Sequence, residues 1–199
     1  MFVRYLFNGE SAMKTVRFTS LAAVVLVLAA FHPLSAVHAN APEPTVQAAL
    51  QGKNATDKVR LRVWGFEVYD AVLHTQPGFS ADRFAEQRFG LELNYLRAFK
   101  GADIAERSMD EMRGVAEFKP EQAERWRKAM SDLFPDVKRG DRITGLHVPG
   151  VGARFYLNDR LLGDIADEAF SRAFFGIWLS PKTSQPRMRE TLIGQTGAA

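Results

Sequence analysis

An antiparallel sheet with helices packed on one of its faces, an α+β domain, is the fold class this sequence predicts. Three observations carry it. Alternating apolar residues recur at 59–63, 89–95 and 142–165, which is strand periodicity. Tight turns, Pro149-Gly150-Val151-Gly152 and Asn158-Asp159, join the later runs as hairpins, and hairpins connect antiparallel strands. Two segments of helical period separate the early strands from the late ones, with no regular strand–helix alternation of the kind a doubly wound nucleotide fold requires.

The elements follow in order. A short helical turn is expected around residues 46–50 in a polar lead-in. Val59, Leu61 and Val63 alternate with Arg60 and Arg62, giving a strand with one apolar face. Gly65 interrupts it, and residues 66–73 continue either as a second strand or as the same strand beyond a bulge. Phe89, Leu91, Leu93 and Tyr95 form the next strand. Asp103 is placed to cap a helix whose apolar stripe is Ile104, Met109, Met112 and Val115. Pro120 suits a first helical position, Ala123, Trp126, Met130 and Leu133 make the stripe, and Pro135 ends it. Strands follow at 142–148, 153–157 and 160–165. Asp167 caps a helix carrying Phe170, Phe174, Ile177 and Trp178, and Pro186 opens a last short helix that ends at Gly194.

Composition narrows the class. The chain has 199 residues, 46% apolar and 25% charged, which suits one ordinary globular domain. It holds no cysteine, so a disulfide scaffold, an iron–sulfur centre, a thiol nucleophile and a lipoprotein anchor are all excluded. The net charge of +3 comes from 26 basic and 23 acidic residues, too balanced for a nucleic-acid partner. Residues 1–39 read as a secretory signal: Lys14 and Arg17, an apolar run of 11 residues from Leu21 to Phe31, then Val37-His38-Ala39 before a cut. That run falls short of the ~20 apolar residues a bilayer span needs, so no stable membrane span is expected once it is removed. Met13 is a natural start for such a signal, and residues 1–12 read as an over-extended gene start. Losing Arg4, Glu10, Lys14 and Arg17 with the signal takes the net charge from +3 to +1. The expected organisation is a signal at 1–39, a lead-in at 40–50 and one domain at 51–195. A bacterial periplasm is the expected compartment, since thiols are dispensable there.

Chemistry is sparse. There is no G-x-S-x-G elbow, no phosphate-binding loop and no H-E-x-x-H. His74 and His147 lack a spaced carboxylate and read as structural histidines, so no metal and no cofactor is expected. Asp103, Glu106, Asp110 and Glu111 read as a solvated helix face. Arg60 and Arg62 share the polar face of one strand, while Tyr69, Tyr95 and Arg97 lie on neighbouring strands. Arginine with tyrosine suits a carboxylate or an acidic phenol through charge-assisted hydrogen bonds. The alternative is that these arginines face solvent and pair with Glu67 or Glu92.

At Lys138-Arg139-Gly140-Asp141, Pro149-Gly150-Val151-Gly152, Asn158, Gly163, Phe170 and Phe175-Gly176-Ile177-Trp178-Leu179 the sequence resembles the bacterial branch of the chalcone isomerase-like family. Residues 63–71 and 91–97 join the likeness, which spans roughly 50–194. The resemblance implies an open-faced β-sandwich with a cleft between sheet and helices. In the plant enzymes that cleft closes a chalcone into a flavanone; in fatty-acid-binding members it holds an acyl chain, with an arginine and a tyrosine at the carboxylate. The enzyme pattern of glycine, tyrosine three residues on and asparagine seven further reads here as Gly101, Ile104 and Glu111, so both polar groups are missing. Tyr69 stands where the enzymes carry threonine, as in the binding members, with Arg60 or Arg62 as the candidate arginine. The expectation is a non-catalytic binder of a small hydrophobic carboxylic acid or phenolic ligand, at Arg60, Arg62, Tyr69, Tyr95 and Arg97, rather than an intramolecular lyase of the isomerase type. A third reading is a partner-binding protein whose cleft is filled by its own Trp126, Phe174, Phe175 and Trp178.

Overall fold

Strand alternation builds a seven-stranded antiparallel sheet. The computed structural model describes residues 45–194, so the signal expected at 1–39 and the start of the lead-in lie outside the described residues. The strands are β1 (Asn54–Ala55), β2 (Val59–Val63), β3 (Phe66–Thr75), β4 (Phe89–Tyr95), β5 (Arg142–Val148), β6 (Gly152–Leu157) and β7 (Arg160–Ile165). Their order is β1-β3-β4-β5-β6-β7, with β2 also pairing along β3, so β1 and β2 together form one edge. The helices are α1 (Val46–Leu50), α2 (Gly101–Val115), α3 (Pro120–Leu133), α4 (Glu168–Leu179) and α5 (Pro186–Gly194).

Period two then decides the layers. Ala71, Leu73, Phe89, Leu91, Leu93, Tyr95, Ile143 and Phe155 lie on the sheet face that meets α2, α3 and α4, and they share one core with Met109, Met112, Trp126, Met130 and the α4 aromatics. Gly145 lies under the Phe175 ring, whose atoms would come within 3.1 Å of any Cβ there. The other face is mostly polar, except where α1 seats Val46 against Leu146 and Tyr156.

Several elements depart from expectation. Gly65 marks a hairpin rather than a bulge in one strand: Trp64 and Gly65 both have positive φ, as a two-residue turn of this hand requires. The irregularity sits instead at Leu61/Arg62, where the β2–β3 register shifts. Asp103 does not cap α2. The helix begins three residues earlier than such a cap would set it, with Lys100 at the cap position and Asp103 in the first turn. Asp136 does the capping work from a distance, accepting from the Gly101 N–H at 3.0 Å and from Lys100 Nζ at 2.6 Å. A Cβ on Gly101 would lie 2.0 Å from the Phe134 carbonyl oxygen, so only glycine lets the start of α2 rest on the end of α3. β1 and a 3-10 segment at Ala81–Glu86 carry no periodicity that would announce them.

Candidate functional site

Tyr69 on β3 and Tyr95 on β4 are direct partners across the ladder, on the helix-facing side of the sheet. Their rings meet edge to face with centroids 6.1 Å apart. From α4, the Trp178 indole N–H donates to the Tyr69 hydroxyl oxygen at 2.9 Å. From α2, the paired Arg107 and Glu111 lie near enough for their charges to act on the Tyr69 phenol. Burial pushes both phenols well above their ordinary range, so each stays a neutral hydroxyl rather than a phenolate. Tyr69 accepts from Trp178 and keeps its own proton to donate. The chemistry available is hydrogen bonding to an acceptor held between apolar walls.

The three arginines are elsewhere. Arg60 pairs in the ladder with Asp70, one residue from Tyr69, and successive strand residues point to opposite faces. Its Nε and Nη2 donate to the two Asp70 carboxylate oxygens at 2.7 and 2.9 Å, and its Nη1 donates to Glu67 at 2.7 Å. Arg62 also donates to Glu67, at 2.9 Å. Arg97 lies over the Phe66 ring, 5.1 Å from its centroid. The expected anchor of Arg60 or Arg62 beside Tyr69 is therefore not assembled: the tyrosines line the helix side and Arg60 the other. Hydrogen bonds from Arg60 hold the Asp70 carboxyl below its usual range, and those from Arg60 and Arg62 do the same for Glu67. Of the alternatives, Glu67 is the partner found. Glu92 instead accepts from Asn94 at 2.9 Å and lies 3.5 Å from the Arg142 guanidinium.

The remaining candidates fall into place. His147 is fully buried, with Nδ1 2.7 Å from the Ser171 hydroxyl and Nε2 2.9 Å from the Ala85 carbonyl. A carbonyl only accepts, so Nε2 carries the proton toward Ala85, while the Ser171 hydroxyl beside Nδ1 also lies 3.1 Å from the Gly152 carbonyl, a second acceptor for its single proton. His74 lies 3.7 Å from Glu92, on the sheet face away from α2 and α4. Among the described residues no group of three or more histidines and carboxylates is placed to hold a metal. Asp110, Glu106 and Glu111 carry ion pairs with Arg113, Arg127 and Arg107 on the helix surfaces. Phe174, Phe175 and Trp178 fill the middle of the layer with ring-to-ring contacts, as the self-filled reading anticipates. A surface concavity of about 360 Å³ beside α1, between Arg88 and Arg154, contains none of the five expected site residues.

Sequence reasoning missed Trp178 as the partner of Tyr69, and Arg107 and Glu111 as the charges above it. The i, i+4 spacing of Arg107 and Glu111 was visible, but nothing local tells that this pair overlooks a strand 38 residues upstream. Trp178 reads as ordinary core because its donor finds Tyr69 across 109 residues.

Comparison with known proteins bears on the fold and the family. A fatty-acid binding protein of Arabidopsis thaliana has a similar crystal structure, with a TM-score of 0.56 and 9% identity, over 74% of this chain and 90% of that one. At that identity the likeness concerns the fold. An uncharacterized protein of Haemophilus influenzae is 29% identical over 134 residues, 67% of this chain. The match spans 64% of that relative's length, just under two thirds. Residues 53–194 match the chalcone isomerase-like family over β1 to α5, the sheet and helices that hold the tyrosine pair, and the chain belongs to that family.

Proposed function

We propose that the protein is an exported, non-catalytic binder of a small apolar acid such as a fatty acid, held between sheet and helices with its acidic head at Tyr69. The observation that carries this reading is the Tyr69 hydroxyl: neutral, in an otherwise apolar layer, and keeping a proton to donate. Arg107 takes the place of the arginine expected on β2, and because it is paired with Glu111, whose charge acts more strongly on the phenol, binding turns it from Glu111 to the ligand's acid. An apolar pocket with one convergent polar anchor is what such a ligand needs. The acyl chain takes space now held by Trp178 and its neighbours, so binding parts α4 from the sheet at this end. The Arabidopsis protein of like fold suggests the ligand class by its name. Binding is favoured over ring closure because Ile104 and Glu111 stand where the enzyme pattern has a phenol and an amide. The sequence of residues 1–39 supports export.

Titration of delipidated protein with a fluorescent fatty acid tests this. Saturable binding is expected, weakened about tenfold by Tyr69→Phe or Arg107→Ala, in line with loss of a hydrogen bond to a charged group. Arg60→Ala is expected to leave affinity unchanged. Absence of saturable binding, or loss confined to Arg60→Ala, overturns the assignment.

A further inference from the structure

The tip of the β2–β3 hairpin is built in a way that the stability of the fold does not explain. Trp64 sits at the first turn position with a φ of 49°, a left-handed conformation that favours glycine or asparagine and disfavours a bulky side chain. It is 94% exposed, so packing does not offset that cost, whereas Trp126 and Trp178 are buried. Phe66, directly after the turn, is 61% exposed and carries the Arg97 guanidinium over its ring. Trp64, Phe66 and Val151 are the large apolar side chains most exposed among the described residues, and two of the three share this tip.

The charges around these rings are named readily. Arg60, Arg62 and Arg97 supply three positive groups against Glu67 and Asp70. Arg60 is committed to both carboxylates, while Arg62 is mostly exposed and engages Glu67 through one nitrogen. The result is a narrow convex tip, aromatic at its end, with a net positive collar.

We propose that this tip is a membrane-contact element that seats on anionic lipid. The Trp64 and Phe66 rings enter the headgroup region while Arg62 and Arg97 meet lipid phosphates. Tryptophan is the side chain best suited to a membrane–water interface, with an apolar body and one polar N–H. Guanidinium matches phosphate geometry, and basic groups beside the surface add attraction to anionic lipid. A protein partner is the poorer fit, because a stable interface takes roughly 800 Å² from each side and a two-ring tip offers far less. The proposal rests on the hairpin alone and does not require a ligand at Tyr69. The two are neighbours, however: Tyr69 follows Phe66 by three residues of extended strand, about 10 Å. A protein seated by this tip would present the tyrosine end of the sheet to the bilayer.

Tryptophan fluorescence tests it in the full chain, because residues 1–39 contain no tryptophan and cannot contribute signal. The Trp64 contribution is the difference between wild type and Trp64→Phe, a substitution at an exposed site that leaves the core untouched. With phosphatidylglycerol vesicles, that difference is expected to shift to the blue and to be quenched by lipid brominated on the acyl chain. Arg62→Ser and Arg97→Ser should each weaken the response about fivefold, and added salt should do likewise. A Trp64 signal unchanged at saturating vesicle overturns the proposal. So does an equal response to purely zwitterionic vesicles, or a shift that appears without lipid as protein concentration rises, which would indicate a second copy. Failure of fatty-acid titration with an intact vesicle response would remove the ligand reading and leave this one standing.

Discussion

His147 shows how a single buried side chain writes a pH dependence into the fold. Its ring is inaccessible and bonded at both nitrogens, to the Ser171 hydroxyl and the Ala85 carbonyl. Loss of solvation on burial lowers its pKa below the ordinary 6.5, because the charged imidazolium is disfavoured there. The unfolded chain therefore binds a proton before the folded chain does. Stability is full above the ordinary histidine value and falls as pH drops below it, by at most ~1.4 kcal/mol per pH unit until the folded ring also protonates. Urea unfolding between pH 5 and 7.5 should show this slope, and His147→Gln should remove it relative to wild type. An unchanged slope in the variant would assign the dependence to other groups. The sequence marked His147 as structural from the lack of a partner carboxylate, but its actual partners lie 24 and 62 residues away and leave no local trace.

Among the elements, α4 depends on one carboxylate that serves two helices. Asp167 accepts from the Phe170 N–H at 3.0 Å through one oxygen, which caps α4. Its other oxygen accepts from the buried Trp126 indole of α3 at 2.8 Å. Asp167→Ala removes a cap worth ~1 kcal/mol and strands a buried N–H at a further ~1–3 kcal/mol. A loss of about 2–4 kcal/mol in chemical denaturation is expected, with Asp167→Asn recovering much of it because its amide oxygen still caps. A loss below 1 kcal/mol in the alanine variant would show that the two contacts do not both bear on stability. The cap was legible because aspartate before an apolar helical stripe is a local signal. The Trp126 contact was not, since it spans 41 residues. At α2 the local signal misled: Asp103 resembles a cap, yet Asp136 of the loop after α3 supplies the acceptor, and the close approach at Gly101 moves the helix start.

For the whole molecule, the proposed export through residues 1–39 has the sharpest consequence. Protein recovered from the periplasmic fraction is expected to begin at Asn40 on terminal sequencing; retention of residues 1–39 in a membrane fraction would contradict the expected cut. The sequence by itself determined the class of fold, the order of strands and helices, and most of their boundaries, because alternation, helical period, proline and capping residues act within a few positions. It also carried the family likeness. Only the tertiary structure decided which face of each strand meets the helices. Alternation says that Arg60 and Leu61 point to opposite sides, and that Tyr69 and Asp70 do too, but it does not say which members of two strands share a side. That depends on the β2–β3 register, which pairs Leu61 with Tyr69 and Arg60 with Asp70 and shifts immediately afterwards. A one-residue difference in pairing separates an arginine–tyrosine anchor within the layer from the arrangement found, with the phenol inside against Trp178 and the guanidinium outside, gripped by two carboxylates.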